Sequence, residues 1–255
     1  MIKRLAALLL LAVLGALFAN LLVGYAPDPA LNPTALYYAE RTAPDLGAAN
    51  LVTAIVISYR GLDTLGEVTV LFLAAAIVGL VLAGPGSGQE SKPRTVQGAE
   101  PGENNRLSEA ASSRPSAPLP VGELLITGSR LLTPLILLLG VYVFANGHLT
   151  PGGGFQGGAI LASATLLLLL ATPLKRFSHR LIAGLEALSG LFFVGIGLLG
   201  LVLAGGFLDN RILPLGTLGD LFSAGTIPLI STLIGLKVGA EFSSILASLS
   251  ETEES

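Results

Sequence analysis

The sequence predicts an all-α integral membrane protein with about six transmembrane helices and both termini in the cytoplasm. Of its 255 residues, 52% are hydrophobic and 12% are charged, whereas a soluble globular protein carries about 25% charged residues. Long runs are nearly free of charge, at 5–24, 124–145, 160–172 and 181–205. Since roughly 20 apolar residues cross the hydrocarbon core as a helix, these runs indicate membrane spans and exclude a soluble enzyme. The 32 glycines fit as well, because small residues let membrane helices approach closely.

The N-terminal part, residues 1–84, is predicted to hold two spans. The first covers 5–24. Two basic residues precede it, as in a signal peptide, but the apolar run is longer than usual and no clear cleavage site follows, which favours a retained helix. The second span starts near residue 66 and ends at residue 84. Between them, the apolar stretch 48–59 is too short to span and is typical of a re-entrant or interfacial segment.

A polar linker is predicted at residues 85–120, which are rich in Pro, Gly, Ser, Glu and Asn and show no hydrophobic periodicity. The C-terminal part, residues 121–255, is predicted to hold four spans. They lie at 124–146, 155–172, 181–205 and 221–240, and the last can continue toward Ser248.

The distribution of positive charge predicts the orientation in the membrane. With six crossings and the N-terminus inside, only Arg41, Arg60 and Arg211 fall in outside loops. The cytoplasmic side then holds Lys3, Arg4, Lys92, Arg94, Arg106, Arg114, Lys175, Arg176 and Arg180. This excess obeys the positive-inside rule, so we expect a multi-pass protein of the cell (inner) membrane.

Some kinds of site are excluded by residue usage. Cysteine is absent, which excludes disulfides, thiolate metal sites and a cysteine nucleophile. His148 and His179 are the only histidines, too few and too far apart to suggest a metal cluster. We therefore expect no metal site, no bound cofactor, no catalytic residues and no nucleic-acid partner.

The first candidate group lies where the second span begins. Arg60, Asp63 and Glu67 are close together in the sequence there. A structural interpretation puts Asp63 or Thr64 at the helix N-cap and Glu67 in the first turn, favourably placed in the helix dipole, with Arg60 neutralising Asp63. A functional interpretation is a proton or cation relay, because ionisable groups at membrane depth are costly and usually functional. The residues alone support both interpretations equally.

The second candidate is a glycine loop, residues 147–158, between two predicted spans. Six glycines and a proline in twelve residues predict an irregular backbone. A simple turn needs fewer glycines, which favours a broken segment that lines a polar cavity, with His148 able to exchange a proton near neutral pH. No strand precedes the glycines and no Lys-Ser/Thr follows, so this is not a phosphate loop. The candidate residues beside His148 are Gly147, Thr150, Pro151, Gly152, Gly153, Gly154, Gln156, Gly157 and Gly158.

The third candidate group is on the last spans. Lys237 and Glu241 are four residues apart and so share one helix face. An ion pair at the cytoplasmic end, with Lys237 snorkelling, is slightly favoured over a place in an ion path. Glu186 lies one turn into the fifth span and must face protein or water. Arg130 is placed similarly in the third span, and Asp220 is interpreted as an N-cap.

Three segments resemble known membrane proteins. The loop GHLTPGGGFQGG (Gly147–Gly158) closely resembles the signature of the B-type component of Mrp-type multisubunit Na+/H+ antiporters, the MnhB family. TAIVISYRGLDTLGE (Thr53–Glu67) resembles the C-terminal region of the large A-type component of Mrp antiporters, which also occurs as a separate small subunit in membrane-bound hydrogenases. GTIPLISTLIGLKVGAEFSSIL (Gly225–Leu246) looks more like the hydrogenase and sulfur-reductase relatives.

The resemblance implies a fusion of two small subunits, at residues 1–84 and 121–255, whose halves are neighbours in space. It implies a role in the transport of Na+ or H+ across the membrane. The partners it implies are other Mrp-like subunits, membrane lipid and, in a hydrogenase-type complex, redox subunits. Glu67, with Arg60 and Asp63, would then belong to the cation path, and His148 would help to shape it. A purely structural subunit that conducts no ions is the alternative. The absence of a repeat and the few buried charges argue against an independent transporter.

Overall fold

The computed structural model describes residues 2–25, 30–83, 122–172 and 178–253, and every structural statement here concerns those ranges. They form two compact units, Met1–Glu40 and Arg41–Ser255. The helices are α1 (Ile2–Gly24), α2 (Pro33–Leu46), α3 (Leu51–Ala54), α4 (Gly61–Ala83), α5 (Glu123–Ala145), α6 (Gly154–Ala171), α7 (His179–Leu203) and α8 (Ile227–Glu253).

Six of the described helices are long and apolar enough to cross a membrane, which confirms the predicted number of spans. They are Arg4–Gly24, Gly61–Leu82, Glu123–Ala145, Gly154–Ala171, Arg180–Leu203 and Ile227–Ser250. The linker at 85–120 and the loop residues Lys175 and Arg176 lie outside the described residues. The cytoplasmic location of the termini stays a prediction.

The last predicted span has the wrong limits. Its start was placed at residue 221, but α8 begins at Ile227 and ends at Glu253. The reason is local backbone conformation: Ala224 and Gly225 have φ of 64° and 57°, and such left-handed residues cannot continue an α-helix. The interpretation of Asp220 as an N-cap is therefore wrong.

The second predicted span starts too late. Helix α4 begins at Gly61 rather than near residue 66, because the backbone N–H of Thr64 already donates to the carbonyl of Arg60, four residues earlier, as in a regular α-helix. Asp63 is thus in the first turn and Glu67 in the second, so the interpretation of Asp63 or Thr64 as an N-cap is wrong. Thr64 instead donates a hydrogen bond from its hydroxyl to the carbonyl of Val56 at 2.6 Å.

Helix α8 is the centre of the larger unit. It packs against α4, α5, α6 and α7 and touches the short α3. Ile227, Ile230, Ile234 and Val238 are buried in the core, and their spacing of three or four residues puts them on one helix face. The core of the larger unit therefore lies around this helix.

The short apolar stretch before α4 is a broken helix. Helix α3 passes into a π-helical segment, Ile55–Tyr59, and Arg60 ends it. Thr53, Ala54 and Ile57 are buried, and the segment contacts α8. It is not among the six candidate spans, as expected from its length, and its depth in the membrane stays a prediction.

Candidate functional site: the glycine loop and three charged groups

The glycine loop connects α5 to α6 and is held by the start of α3. Asn50 donates from its side-chain amide to the carbonyls of Gly147 and Thr150, at 2.7 and 2.8 Å. The Thr53 hydroxyl donates to the carbonyl of Gly152 at 3.1 Å. These bonds use loop carbonyls that no regular helix satisfies, and they join the two predicted halves of the chain.

The glycines of the loop have two roles: some adopt backbone conformations that other residues avoid, and others allow neighbouring helices to pack closely. Gly152 and Gly153 have φ of +142° and +154°, which L side chains rarely adopt. Gly154 opens α6 beside α8, and a Cβ there would lie 2.6 Å from the Cβ of Ile234. A Cβ on Gly157 would lie 2.7 Å from the carbonyl oxygen of Gly140, and one on Gly158 2.8 Å from that of Gly235. The unusual number of glycines thus lets three helices meet closely.

The loop also borders an open cleft. Its volume is about 380 Å³, and Asn50, Thr150, Pro151, Gly152 and Gln156 are among the residues that line it. Leu51, Val52 and Leu149 also line the cleft, so its lining is mixed rather than purely polar. The interpretation of the loop as a broken segment at a polar cavity stays a prediction.

His148 is fully buried inside the loop. Its Nε2 lies 3.4 Å from the carbonyl oxygen of Asp220, at the long limit of a hydrogen bond, and its Nδ1 has no partner among the described residues. Burial lowers the pKa of His148 below its ordinary value of 6.5, and the Asp220 carbonyl only partly offsets this effect. The buried imidazole is therefore neutral at neutral pH.

The acidic group of α4 is exposed. The Arg60 guanidinium lies 2.5 Å from the Asp63 carboxylate, but the two side chains are 65% and 53% exposed, so the ion pair adds little stability. Glu67 is also exposed, and it has no hydrogen bond or ion pair within the described chain. Its neighbour Val68 is buried, and one residue turns a helix by about 100°. Glu67 thus points away from the core of this subunit.

Lys237 and Glu241 form an ion pair within α8. The Lys237 Nζ lies 2.7 Å from Glu241 Oε1, and the Glu241 side chain is fully buried. Glu186, on α7, is half-buried and close enough to act electrostatically on Glu241. The expectation of a snorkelling lysine at the helix end is wrong, because the pair lies near the middle of α8 and only 12% of the Lys237 side chain is exposed.

The structure thus keeps the sequence-predicted residues in three groups. No hydrogen bond or ion pair links one group to another in the described ranges. Asn50, Thr53 and Ser231 were not among the candidates, although Ser231 donates to the Phe144 carbonyl at 2.9 Å beside the loop. An Asn three residues before a Thr at a helix start is a capping signal that could have identified the first two.

Two family models match the chain. The one described as "Domain related to MnhB subunit of Na+/H+ antiporter" matches residues 124–244. The family of the E-type component of MBH matches residues 2–91. The two matches do not overlap, and each falls on one of the two predicted parts of the chain.

Several relatives are similar in sequence. An uncharacterized protein of Methanocaldococcus jannaschii is 31% identical over 216 residues, which cover 76% of this chain and 74% of that protein. A probable A/B-type component of a K+/H+ antiporter from Rhizobium meliloti is 27% identical over 68% of this chain but only 17% of its own length. The B-type component of the Na+/H+ antiporter of Bacillus subtilis is 42% identical over 82 residues, 32% of this chain and 54% of that protein. The chain therefore spans about a sixth of the first antiporter protein and about half of the second.

Two solved structures are similar in fold. One chain of the membrane-bound sulfane sulfur reductase, an archaeal respiratory membrane complex, is 39% identical with a TM-score of 0.70, and 98% of each chain is covered. A chain of the Mrp complex of a Dietzia species is 27% identical with a TM-score of 0.68 over 97% of this chain and 26% of that one. This protein is thus a multi-pass membrane subunit of an antiporter-like module, and its residues 124–244 form a domain of the MnhB-related family.

Proposed function

We propose that this subunit contributes to the translocation of Na+ or H+ across the cell (inner) membrane and that Glu67 lies on the ion path. The proposal builds on the relatives, whose names include Na+/H+ and K+/H+ antiporter subunits. The domain organisation that we propose is the one predicted from the sequence. Residues 1–84 form a part that resembles a small hydrogenase subunit, residues 85–120 a cytoplasmic linker and residues 121–255 an MnhB-like part.

The main observation that supports this proposal is the exposure of Glu67. It is a carboxylate in the second turn of a membrane span, it is exposed, and no group of the described chain pairs with it. An ionisable side chain at membrane depth is too costly to face lipid. Glu67 therefore faces a partner subunit or a water-filled path, where it can bind a cation.

The other candidates take supporting roles in this proposal. Arg60 and Asp63 set the local charge one or two turns before Glu67. The cleft beside Asn50 gives water access to the glycine loop, and His148, buried within that loop, helps to shape the path. Lys237, Glu241 and half-buried Glu186 are proposed to add charged groups to the path.

The parent complex is proposed to be either an Mrp-type antiporter or an ion-pumping redox complex. The sulfane sulfur reductase chain covers nearly the whole of this subunit, which favours a respiratory assembly with hydrogenase-like or other redox subunits. In such an assembly this chain serves ion transport and the electron transfer takes place in its partners.

The test is Na+ and H+ flux in vesicles that hold the whole complex. Glu67→Gln keeps the shape and removes the charge, and we expect it to abolish most of the flux while assembly persists. Glu40→Gln is the control, since Glu40 is an exposed acid outside the candidate spans. Equal flux in wild type and Glu67→Gln would refute the proposal and leave the alternative, a scaffold that conducts no ions.

The scaffold alternative has its own support. The glycine loop is closely packed against α8 and α3, and the Arg60–Asp63 pair can simply stabilise the start of α4. A scaffold requires these packing contacts but no charge at Glu67, so the same pair of variants separates the two functions.

A further inference from the structure

A buried charge cluster lies at the junction of α7 and α8. The Lys237–Glu241 pair is near the middle of α8, with Glu241 fully buried and Lys237 12% exposed. In a membrane span, the loss of hydration of two charges is not reliably recovered by their mutual attraction. A pair of this kind is thus better explained by a function than by stability.

The Glu241 carboxylate is only partly satisfied. Its Oε1 lies 2.7 Å from the Lys237 ammonium in an ion pair, but neither Oε1 nor Oε2 has a hydrogen bond of good geometry among the described residues. An ionised carboxylate offers about four acceptor positions, so most of its capacity is unused. This leaves room for a proton on the carboxylate.

A second carboxylate lies on the helix against which the same ammonium rests. On α7, Glu186 and Gly190 are four residues apart and share one face. A Cβ on Gly190 would lie 3.8 Å from the Lys237 Nζ. The ammonium therefore rests against α7 about one turn from Glu186, at the end of a flexible four-carbon stem.

There is also space beside the ammonium. A cavity of about 180 Å³ is lined by Phe72, Gly190, Phe193 and Lys237, among others. The Lys237 Nζ lies 5.1 Å from the centre of the Phe72 ring, a distance at which the ring face attracts a cation. Phe72 can thus stabilise the ammonium when it is away from Glu241.

Other charged groups do not interfere with this arrangement. Helices α3 and α6 carry no ionisable side chain. Tyr59, in the π-helical segment, is half-buried. Among the side chains whose burial the structure describes, the remaining ionisable ones on helices that pack against α8 are exposed: Asp63 and Glu67 of α4, Glu123, Arg130 and Tyr142 of α5, and Arg180 of α7. Within the described part of the chain, Glu186 is the charged group of a neighbouring helix that acts on Glu241.

We propose that Lys237 is a mobile counter-ion that switches between Glu241 and Glu186, and that Glu241 takes up a proton when Lys237 leaves it. In the structure Lys237 pairs with Glu241. When the ammonium moves to Glu186, one proton from water adds to a Glu241 oxygen and forms an O–H bond; when it returns, that proton leaves to water. Lys237 keeps its three N–H protons throughout, so the cluster gains and loses one positive charge per cycle. The transport role of this switch rests on the proposed function.

The first test is infrared spectroscopy of the whole assembled complex as a function of pH. A protonated carboxylic acid has its own carbonyl band. We expect a band that grows as the pH is lowered and that is missing in the double variant Lys237→Met/Glu241→Gln, which removes both charges of the pair. In Glu186→Gln the band should reach half intensity at a lower pH, because a repelling negative charge is gone. Identical spectra for wild type and the double variant at every pH would overturn the proposal.

The second test asks whether the pair is only structural. Lys237→Met and Glu241→Gln each leave one buried charge without its partner, so we expect poor assembly. The double variant removes both charges and should assemble, but with flux reduced by at least roughly tenfold. Full flux in the double variant would overturn the switch. If the double variant does not assemble, the infrared titration of Glu186→Gln is the deciding test. A carbonyl band that reaches half intensity at the same pH as in the wild type would then overturn the switch.

Glu67→Gln, measured in parallel, separates this inference from the proposed function. Lost flux in Glu67→Gln with full flux in the double variant would sustain the proposed function and refute the switch. Normal flux in Glu67→Gln, together with the expected infrared band, would refute the proposed function and sustain the proton site.

Discussion

Asn50 donates a hydrogen bond from its side chain to the backbone carbonyl of Gly147 at 2.7 Å, across 97 residues of sequence. The same side chain caps α3 by accepting from the backbone N–H groups of Val52 and Thr53. One residue therefore fixes both the start of the broken helix and the glycine loop. This makes Asn50 a stronger determinant of the site's geometry than any of its charged residues.

Asn50→Ala should lower the stability of the assembled protein substantially. The change removes a helix cap, about 1 kcal/mol, and two hydrogen bonds to loop carbonyls, about 1 kcal/mol each. We expect a loss of about 3 kcal/mol, seen as an earlier thermal transition of the complex. The control is Asn32→Ala, because Asn32 accepts from the Ala35 N–H at the start of α2 and should cost about 1 kcal/mol. Equal losses for the two variants would contradict the role given to Asn50.

Gly154→Val should disrupt the packing of α6 on α8. The first added carbon would already lie 2.7 Å from the carbonyl oxygen of Ser231, and overpacking of this kind costs about 1–3 kcal/mol. Gly195→Val places the same side chain in α7, where an added Cβ meets nothing within 4 Å. Size-exclusion chromatography of the purified complex should show loss of assembly for the first variant alone. Normal assembly of Gly154→Val would contradict the close approach.

His148 should make the stability of the complex depend on pH. The pKa of His148 is lowered by burial, so the unfolded chain binds a proton first as the pH falls. The stabilising contribution of the neutral imidazole is complete above about pH 6.5 and is lost as the pH falls through the lower, folded-state pKa. His148→Gln should flatten this dependence in thermal unfolding measured across the range, and His179→Gln, the other histidine, serves as the control. An unchanged pH profile in His148→Gln would be contrary to this expectation.

The sequence could predict the spans because apolar length is a local property of the chain. It could not predict where α8 begins, since Leu221 and Phe222 extend the apolar run, whereas the left-handed Ala224 and Gly225 interrupt the helix. The charged candidates, including the Lys237–Glu241 pair, were visible because ionisable residues are rare in spans. The contacts of Asn50 with Gly147 and of Lys237 with Gly190 were not, because each joins segments that are distant in the sequence.

The central position of α8 also affects how the protein is made. Chains are synthesised from the N-terminus, so α4, α5, α6 and α7 enter the bilayer before the helix around which they pack. Until α8 arrives, α5 and α6 can already pack against each other, but Gly154 and Gly158 of α6 lack the helix they contact and Glu186 lacks the Lys237 ammonium. A chain that stops before Ile227 therefore leaves an acid within a membrane span without its counter-charge.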